Sequence, residues 1–473
     1  MHRRRFLQGS ACAAGAALGP SRASTLPRLT IDQSAAVGTI APDFIGLSYE
    51  TAQLSNPDFF SAENNELVAF VRLLGTAGVL RIGGNTSAFS VWSPDGAPPS
   101  GEAFGPDTGR NAAPRRPVTP AAIRSLRSFL DATGWTLIYG LNMGGGTSEA
   151  ASDEASFVMR TMEHKLIAFQ LCNEPDLFHR NALRDADYNY ARFAVEWQRT
   201  HDAVRARVPD APFAGPDTAY NNDWLVPFAQ QFRGEVTFLS QHYYAEGPPT
   251  DPSMTIERLL RPDPKLKEEF DGMDRTRRDT GLPFRLAETN SCWGGGKQGV
   301  SDTFASALWG GELMYKLALA GGAGINFHGG GNGWYTPIAG TAKTGFSARP
   351  LYYAMLMFAR AGAGTLLRAG IDGRQDDLVS AFALRSADGG LKSLLFNKSA
   401  DRDVDLQIGP DLQAAVLRLR APRLQSTDRI TLGDSHVGPH AAWPGRADEE
   451  LRIGTIHLPR ASAALVSFSR QPS

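Results

Sequence analysis

Cysteine is nearly absent from this chain. Its 473 residues hold three, Cys12, Cys172 and Cys292, and that excludes a disulfide framework. After the N-terminal segment no stretch reaches the roughly 20 continuous apolar residues that a membrane-spanning helix needs. An excess of charge is missing too. The formal net charge is −1, so no global field favours nucleic acid or a polyanion. No internal repeat is visible. The two later thiols gather no metal-ligand cluster around them, so neither a metal nor a cofactor is expected. Nothing in the sequence bears on oligomeric state.

What is present is ordinary soluble composition, 42% hydrophobic and 21% charged, at a length that suggests two domains, one of them a large barrel. Arg3-Arg4-Arg5-Phe6-Leu7-Gln8 precedes a short, weakly apolar run from Gly9 to Gly19, and Ser21-Arg22-Ala23 offers a small-residue cleavage site. Residues 1–23 thus resemble a twin-arginine export signal, and a periplasmic or secreted location is expected. Gly9 at position −3 to Cys12 argues against lipidation.

From Phe44 onward, apolar strand-like runs alternate with helical periodicity. The runs begin at Phe44, Gly78, Trp135, Leu166, Phe213, Val236, Phe284 and Gly324. Eight such units are the signature of a (β/α)8 barrel, with its site at the C-terminal ends of the strands. Residues 92–118, rich in Pro and Gly, read as one long loop. Ser301 is the candidate N-cap of the helix from Asp302 to Ala320. Beyond the barrel, short β-like runs such as Leu378–Leu384 and Ala463–Phe468 lie between Gly, Asp and Pro. The chain therefore reads as an α/β protein: a TIM barrel over 41–362 with an antiparallel β-sandwich over 363–473. Residues 24–40 are expected to pair with the sandwich, whose role is expected to be packing support for the barrel.

Two stretches stand out: Leu171-Cys172-Asn173-Glu174-Pro175 and Leu286-Ala287-Glu288-Thr289-Asn290. Each puts a glutamate where an apolar strand stops. Two carboxylates at neighbouring strand ends are the minimum equipment for cutting a glycosidic bond. On this reading Glu174 is the general acid/base, Glu288 the ionised nucleophile, and Asn173 holds a sugar hydroxyl.

These motifs, with Gly294-Gly295-Gly296 followed by Val300-Ser301-Asp302-Thr303-Phe304-Ala305, Ile325-Asn326-Phe327-His328-Gly329-Gly330, and Leu80-Arg81-Ile82-Gly83-Gly84-Asn85, resemble glycoside hydrolase family 79, the β-glucuronidases and heparanases. The resemblance implies a retaining mechanism on β-linked uronic acids. It implies a uronate carboxylate held by the amides of Gly294 and Gly295 and by Tyr335. It puts Tyr244 beside the nucleophile, with its neighbour Tyr243 able to exchange roles, and Glu50 and Asn85 on sugar hydroxyls. His328 is expected to pack at a strand end. Trp293 stands where family members often carry tyrosine, which keeps an aromatic wall and loses a hydroxyl. The resemblance admits an exo-β-glucuronidase and a heparanase-like endo-enzyme. The neutral charge favours exo action, since only Arg110, Arg115, Arg116 and Lys297 offer cations near a cleft. A catalytically inactive sugar-binding barrel is the reading from another class, and both carboxylates argue against it.

Overall fold

The structure is a computed structural model that describes residues 26–96, 116–329, 333–373 and 377–469. The export-signal segment and the loop cations Arg110 and Arg115 lie outside the described residues. Eight parallel strands close into a barrel: Ile45–Glu50, Val79–Gly83, Thr136–Gly140, Leu166–Gln170, Phe213–Thr218, Phe238–Glu246, Phe284–Cys292 and Gly324–His328. In chain order these are strands one to eight. Four of the eight are buried along their whole length, and three others at all but one position, which is why they read as continuous apolar runs rather than alternating ones.

The helices start and stop where local chemistry dictates. Helix Pro120–Thr133 has proline in its first turn, Thr119 accepting the Ala122 N–H, and left-handed Gly134 at its end. The span 254–280 divides into Ile256–Leu259 and Pro264–Thr280, because Pro262 and Pro264 interrupt it. The helix expected to be capped by Ser301 begins later, at Phe304, and Thr303 makes no side-chain cap. Its first free N–H groups are met from the second domain: Phe304 donates to the Ser426 carbonyl at 2.7 Å and Ala305 to the Leu424 carbonyl at 3.0 Å. The long loop over 92–118 is tied at its ends, where Ser90–Trp92 and Arg116–Val118 pair in parallel; residues 97–115 lie outside the described residues. Among the described residues no helix is long and apolar enough to cross a membrane.

The C-terminal domain takes the form of one sheet curled on itself. Strand Arg28–Ile40 pairs antiparallel with Gly364–Asp372. The sheet then runs through Val379–Ser386, Leu391–Asn397, Ser462–Phe468 and Val404–Arg420. Arg28 returns to pair with Gln407, so the two halves face each other across Leu29, Leu395, Leu406, Val416, Ile456 and Val466. A buried ion pair joins it to the barrel. Lys398 Nζ lies 2.7 Å from Glu312 Oε2, on the helix before strand eight. Burial would raise the Glu312 carboxyl, but Lys398 and Lys316 outweigh it and hold it below its ordinary range.

Strand seven differs most from the sequence reading. It does not stop before Glu288 but continues to Cys292. Its register slips between Leu286 and Glu288 against strand six, and between Leu286 and Thr289 against strand eight. A bulge of this kind re-aims a side chain without ending the strand. Here it falls at Glu288.

Candidate active site

The mouth of the barrel is organised around a cation. Arg81, on strand two, has no exposed surface. Its Nε donates to Gln170 Oε1 at 2.9 Å, and Nη1 to Glu288 Oε2 at 2.5 Å and Ser48 Oγ at 3.2 Å. Its Nη2 donates to Asn173 Oδ1 at 2.8 Å and to Asp217 Oδ2 at 2.7 Å. A buried guanidinium is tolerable when its donors find acceptors and its charge is met. Both conditions hold, and as a consequence strands two, four, five and seven are held at fixed distances.

Glu288 is 6% exposed. Besides Arg81, it accepts the Tyr244 hydroxyl on Oε1 at 2.7 Å. The adjacent Tyr243 points elsewhere, donating to Asp263 Oδ2 at 2.7 Å, which is what alternation along strand six requires. His328 also faces Glu288, with Nδ1 at 3.5 Å from Oε2 and 2.9 Å from Ser48 Oγ. His328 thus belongs to the cluster as well as to a strand end. Burial alone would push the Glu288 carboxyl up. The charges of His328, His242 and Arg81, with the Tyr244 hydroxyl, overcome that and hold it well below the usual carboxylate range. These surroundings favour the ionised form of Glu288.

Glu174 is 8% exposed and sits in the left-handed region, φ 48° and ψ 54°. Non-glycine residues are held in that region only when their surroundings dictate it. Here its N–H donates to the Asp217 carbonyl at 2.9 Å. Its Oε1 lies 2.9 Å from His242 Nδ1, while Oε2 has no partner among the described residues. His242 reaches Asp217 Oδ1 through Nε2 at 3.1 Å. Burial lowers the affinity of this imidazole for a proton, but Asp217 and Glu288 reverse the effect and push its pKa up to about 10. Protonated, it donates from both nitrogens. The neighbouring Asp176 carboxyl is pushed up to about 6 by burial and by the charge of Glu174.

Asn173 lies between Arg81 and Asn85, donating to Asn85 Oδ1 at 3.1 Å. Glu50 is pinned by Thr86, which donates to Oε2 from its N–H at 2.8 Å and from its hydroxyl at 2.6 Å. Glu50 Oε1 stands 3.5 Å from His328 Nε2. Tyr335 is buried, its ring 6.2 Å from that of Tyr244 and 5.9 Å from that of His328. Burial and the charges of Glu288 and Glu50 keep its phenol protonated. Gly294, Gly295 and Gly296 all take positive φ, 80°, 92° and 84°, where a side chain would be strained. The N–H groups of Gly294 and Gly295 have no partner among the described residues. Trp293 stands at the rim, 38% exposed, with its indole over Gly247. Cys172 and Cys292 are free and buried, and burial pushes both thiols up, Cys292 to about 11, which leaves them unreactive.

The structure therefore gathers Glu174, Glu288, Asn173, Asn85, Glu50, Tyr244 and Tyr335 at one mouth. It adds Arg81, Asp217, His242 and His328, which the sequence alone does not place in the site. Among the described residues one oxygen of Glu174, one nitrogen of His242 and one oxygen of Glu288 lie within 4.8 Å of one another. That spacing suits a metal ion, but the donor set does not. A cation there would meet the Arg81 guanidinium and an imidazolium using both nitrogens as donors. A cavity of about 700 Å³, lined in part by Asp43, Arg277 and Arg285, opens on the opposite face of the barrel and contains none of these groups.

In architecture the chain is a (β/α)8 barrel with an appended β-domain, of the kind seen in glycoside hydrolases. It matches a 4-O-α-L-rhamnosyl-β-D-glucuronidase of Fusarium oxysporum with a TM-score of 0.72 at 17% identity, covering 93% of this chain and 100% of that one. It matches an arabinofuranosidase of family 51 from Xanthomonas axonopodis with a TM-score of 0.69 at 15% identity, covering 94% and 100%. No protein-family model matches the sequence. In sequence the chain is a relative of β-glucuronidases and heparanases. It is 26% identical over 347 residues to a β-glucuronidase of Aspergillus niger, covering 67% of this chain and 62% of that protein. It is 23% identical over 413 residues to the heparanase of Mus musculus, covering 74% and 72%. A Neurospora crassa β-glucuronidase is 24% identical over 375 residues, 70% of this chain and 65% of its own. The chain thus spans just under two thirds of the length of both fungal proteins.

Proposed function

We propose that this protein is a retaining exo-β-glucuronidase. The observation that carries the reading is the pair Glu174 and Glu288, one carboxylate oxygen of each lying within 4.8 Å of the other. Retaining enzymes hold their carboxyl groups about 5–5.5 Å apart and inverting ones about 6.5–9.5 Å. The two carboxylates also differ in what surrounds them. Both Glu288 oxygens accept hydrogen bonds from Arg81 and Tyr244, which suits a nucleophile that is always ionised. Glu174 Oε1 accepts from His242 and Oε2 is open, so the transferable proton belongs on Oε2.

In the first step Glu288 attacks the anomeric carbon while Glu174 protonates the departing oxygen. A glycosyl ester forms on Glu288 and the aglycone leaves. In the second, water gives a proton to Glu174 as its oxygen displaces Glu288, restoring both residues. Asn173, fixed between Arg81 and Asn85, is placed to bind a sugar hydroxyl.

The relatives named above support a glucuronide as the sugar, and so does the chemistry beside Glu288. Gly294 and Gly295 offer N–H donors that are unpaired among the described residues, and Tyr335 a protonated phenol. A charge-assisted hydrogen bond contributes roughly 1.5–3 kcal/mol. Two of them predict a preference for an aryl β-glucuronide over the β-glucoside of at least about a hundredfold in kcat/KM. Tyr335→Phe is expected to lower kcat/KM on the glucuronide and leave the glucoside nearly unchanged. Equal rates on both sugars in the wild type would remove the carboxylate pocket. Exo action is supported by the scarcity of free cations at the mouth among the described residues: Lys297 Nζ is already engaged with the Asp251 carbonyl at 2.7 Å.

A further inference from the structure

The carboxylate pocket proposed above is built from two loops that are distant in sequence but joined through the backbone. Gly294 to Gly296 follow strand seven. Gly333 to Tyr335 follow strand eight. The Trp334 N–H donates to the Gly295 carbonyl at 2.6 Å. A Cβ on Gly333 would stand 3.0 Å from the same carbonyl oxygen, and one on Gly296 would stand 2.7 Å from the Tyr335 nitrogen. A side chain at Gly296 would force the Tyr335 backbone to shift, and one at Gly333 would press on the Gly295 carbonyl. They also mean that where Gly333–Tyr335 sits decides where the Gly294 and Gly295 N–H groups, unpaired among the described residues, and the Tyr335 phenol point.

One side chain braces that second loop. Arg349 immediately precedes helix Pro350–Ala361. Its Nη1 donates to the Gly333 carbonyl at 2.9 Å, and its guanidinium carbon stands 5.8 Å from the centre of the Trp334 ring. Its own N–H donates to the Pro337 carbonyl at 2.9 Å. The base of the side chain is thus anchored to the chain just beyond the loop, while its head holds the loop by a hydrogen bond and a cation–π contact. On the other side, Asp302 is the acidic group whose charge acts on Arg349. Asp302 accepts the Gly299 N–H at 2.7 Å, within the loop that follows the three glycines. Ser301 braces the same loop, accepting the Lys297 N–H at 2.9 Å.

We propose that Arg349 is a positioning residue for uronate recognition: it clamps Gly333–Tyr335 against Gly294–Gly296 so that amide and phenol donors converge on one carboxylate. This inference rests on the glucuronidase reading above. A planar fork is needed to bond a carbonyl while lying on an indole face, and lysine cannot do both. Arg349 itself does not touch the sugar. Its loss therefore loosens the pocket for the carboxylate and leaves the machinery at Glu174 and Glu288 in place.

The test is steady-state kinetics of Arg349→Met and Arg349→Lys on paired p-nitrophenyl β-glucuronide and β-glucoside, with inhibition by free glucuronate and glucose measured alongside. In both variants kcat/KM on the glucuronide is expected to fall between about tenfold and a hundredfold, chiefly through KM. Rates on the glucoside are expected to stay within about twofold. Inhibition by glucuronate is expected to weaken while that by glucose does not. A parallel fall on both sugars, an unchanged glucuronide rate, or full recovery with lysine would each overturn the proposal. Arg349→Lys retains the charge and most of the stem, so it decides the matter should the methionine variant fold poorly. Failure of the parent reading is separate and shows in the wild type alone, as a lack of preference between the two sugars.

Discussion

Glu288→Gln is expected to lower turnover of p-nitrophenyl β-glucuronide by about 10⁴-fold or more, the scale on which losing a nucleophile acts, while the sugar still binds. The substitution keeps shape and removes charge. The amide oxygen can accept from Arg81 or from Tyr244, but its NH₂ group then faces the other donor. Arg81 keeps Asn173, Asp217, Gln170 and Ser48 as partners, so the barrel mouth stays assembled. What disappears is the negative charge that makes this oxygen a nucleophile toward the anomeric carbon. Calorimetric titration with glucuronate and single-turnover kinetics separate the two effects. Near-wild-type turnover in this variant would take the nucleophile role away from Glu288.

The second large effect is selective. Glu174→Ala is expected to slow glucuronides with poor leaving groups by about 10²–10⁴-fold, the range for general acid catalysis. An activated aryl glucuronide needs little protonation, so its first step is expected to suffer far less. The glycosyl ester then accumulates for want of a base, and azide, which needs none, is expected to restore turnover as a β-glycosyl azide. His242 keeps its bond to Asp217 without Glu174, so the variant loses a proton donor rather than a scaffold. Equal losses on good and poor leaving groups, with no azide effect, would contradict the assignment.

Much of this site was legible in the sequence, and the reason is burial. Strands packed on both faces read as apolar runs, and the residues that end them stand out by contrast, as Glu174 does after Leu166–Leu171. Glu288 stands out for the same reason although it lies within its strand. The bulge that turns it inward depends on its neighbours' register, which no local pattern encodes. Arg81 left a signal: a cation inside Val79-Leu80-Arg81-Ile82 must have buried acceptors. The pattern is ambiguous, however, because Arg285 sits likewise inside strand seven. It spends its donors at the other end of the barrel, on Asn326 Oδ1 at 2.6 Å and the carbonyls of Asp43 and Phe44. Only the fold separates the two arginines. Asp217 and His242 left less, since each became part of the site through partners on other strands. The curl of the C-terminal sheet was equally hidden, because it hinges on the single pairing of Arg28 with Gln407.

The glycine loop shows how a motif gains meaning from its partner. Three glycines alone describe a turn. With Trp334 bonded to Gly295 and Tyr335 buried beside Tyr244, they form one side of the proposed carboxylate site, whose other side comes from the segment after strand eight. On the glucuronidase reading proposed above, that arrangement makes the expected uronate preference a property of two loops acting together.

The central claim is that two carboxylates of different environment cleave a β-glucuronide by double displacement. The anomeric configuration of the first-formed sugar tests it most directly. With p-nitrophenyl β-glucuronide followed by ¹H NMR from the first minutes, double displacement predicts β-glucuronate appearing first and the α-anomer only later, by mutarotation. Initial release of α-glucuronate would mean inversion, and would contradict both Glu288 as nucleophile and Glu174 as acid/base.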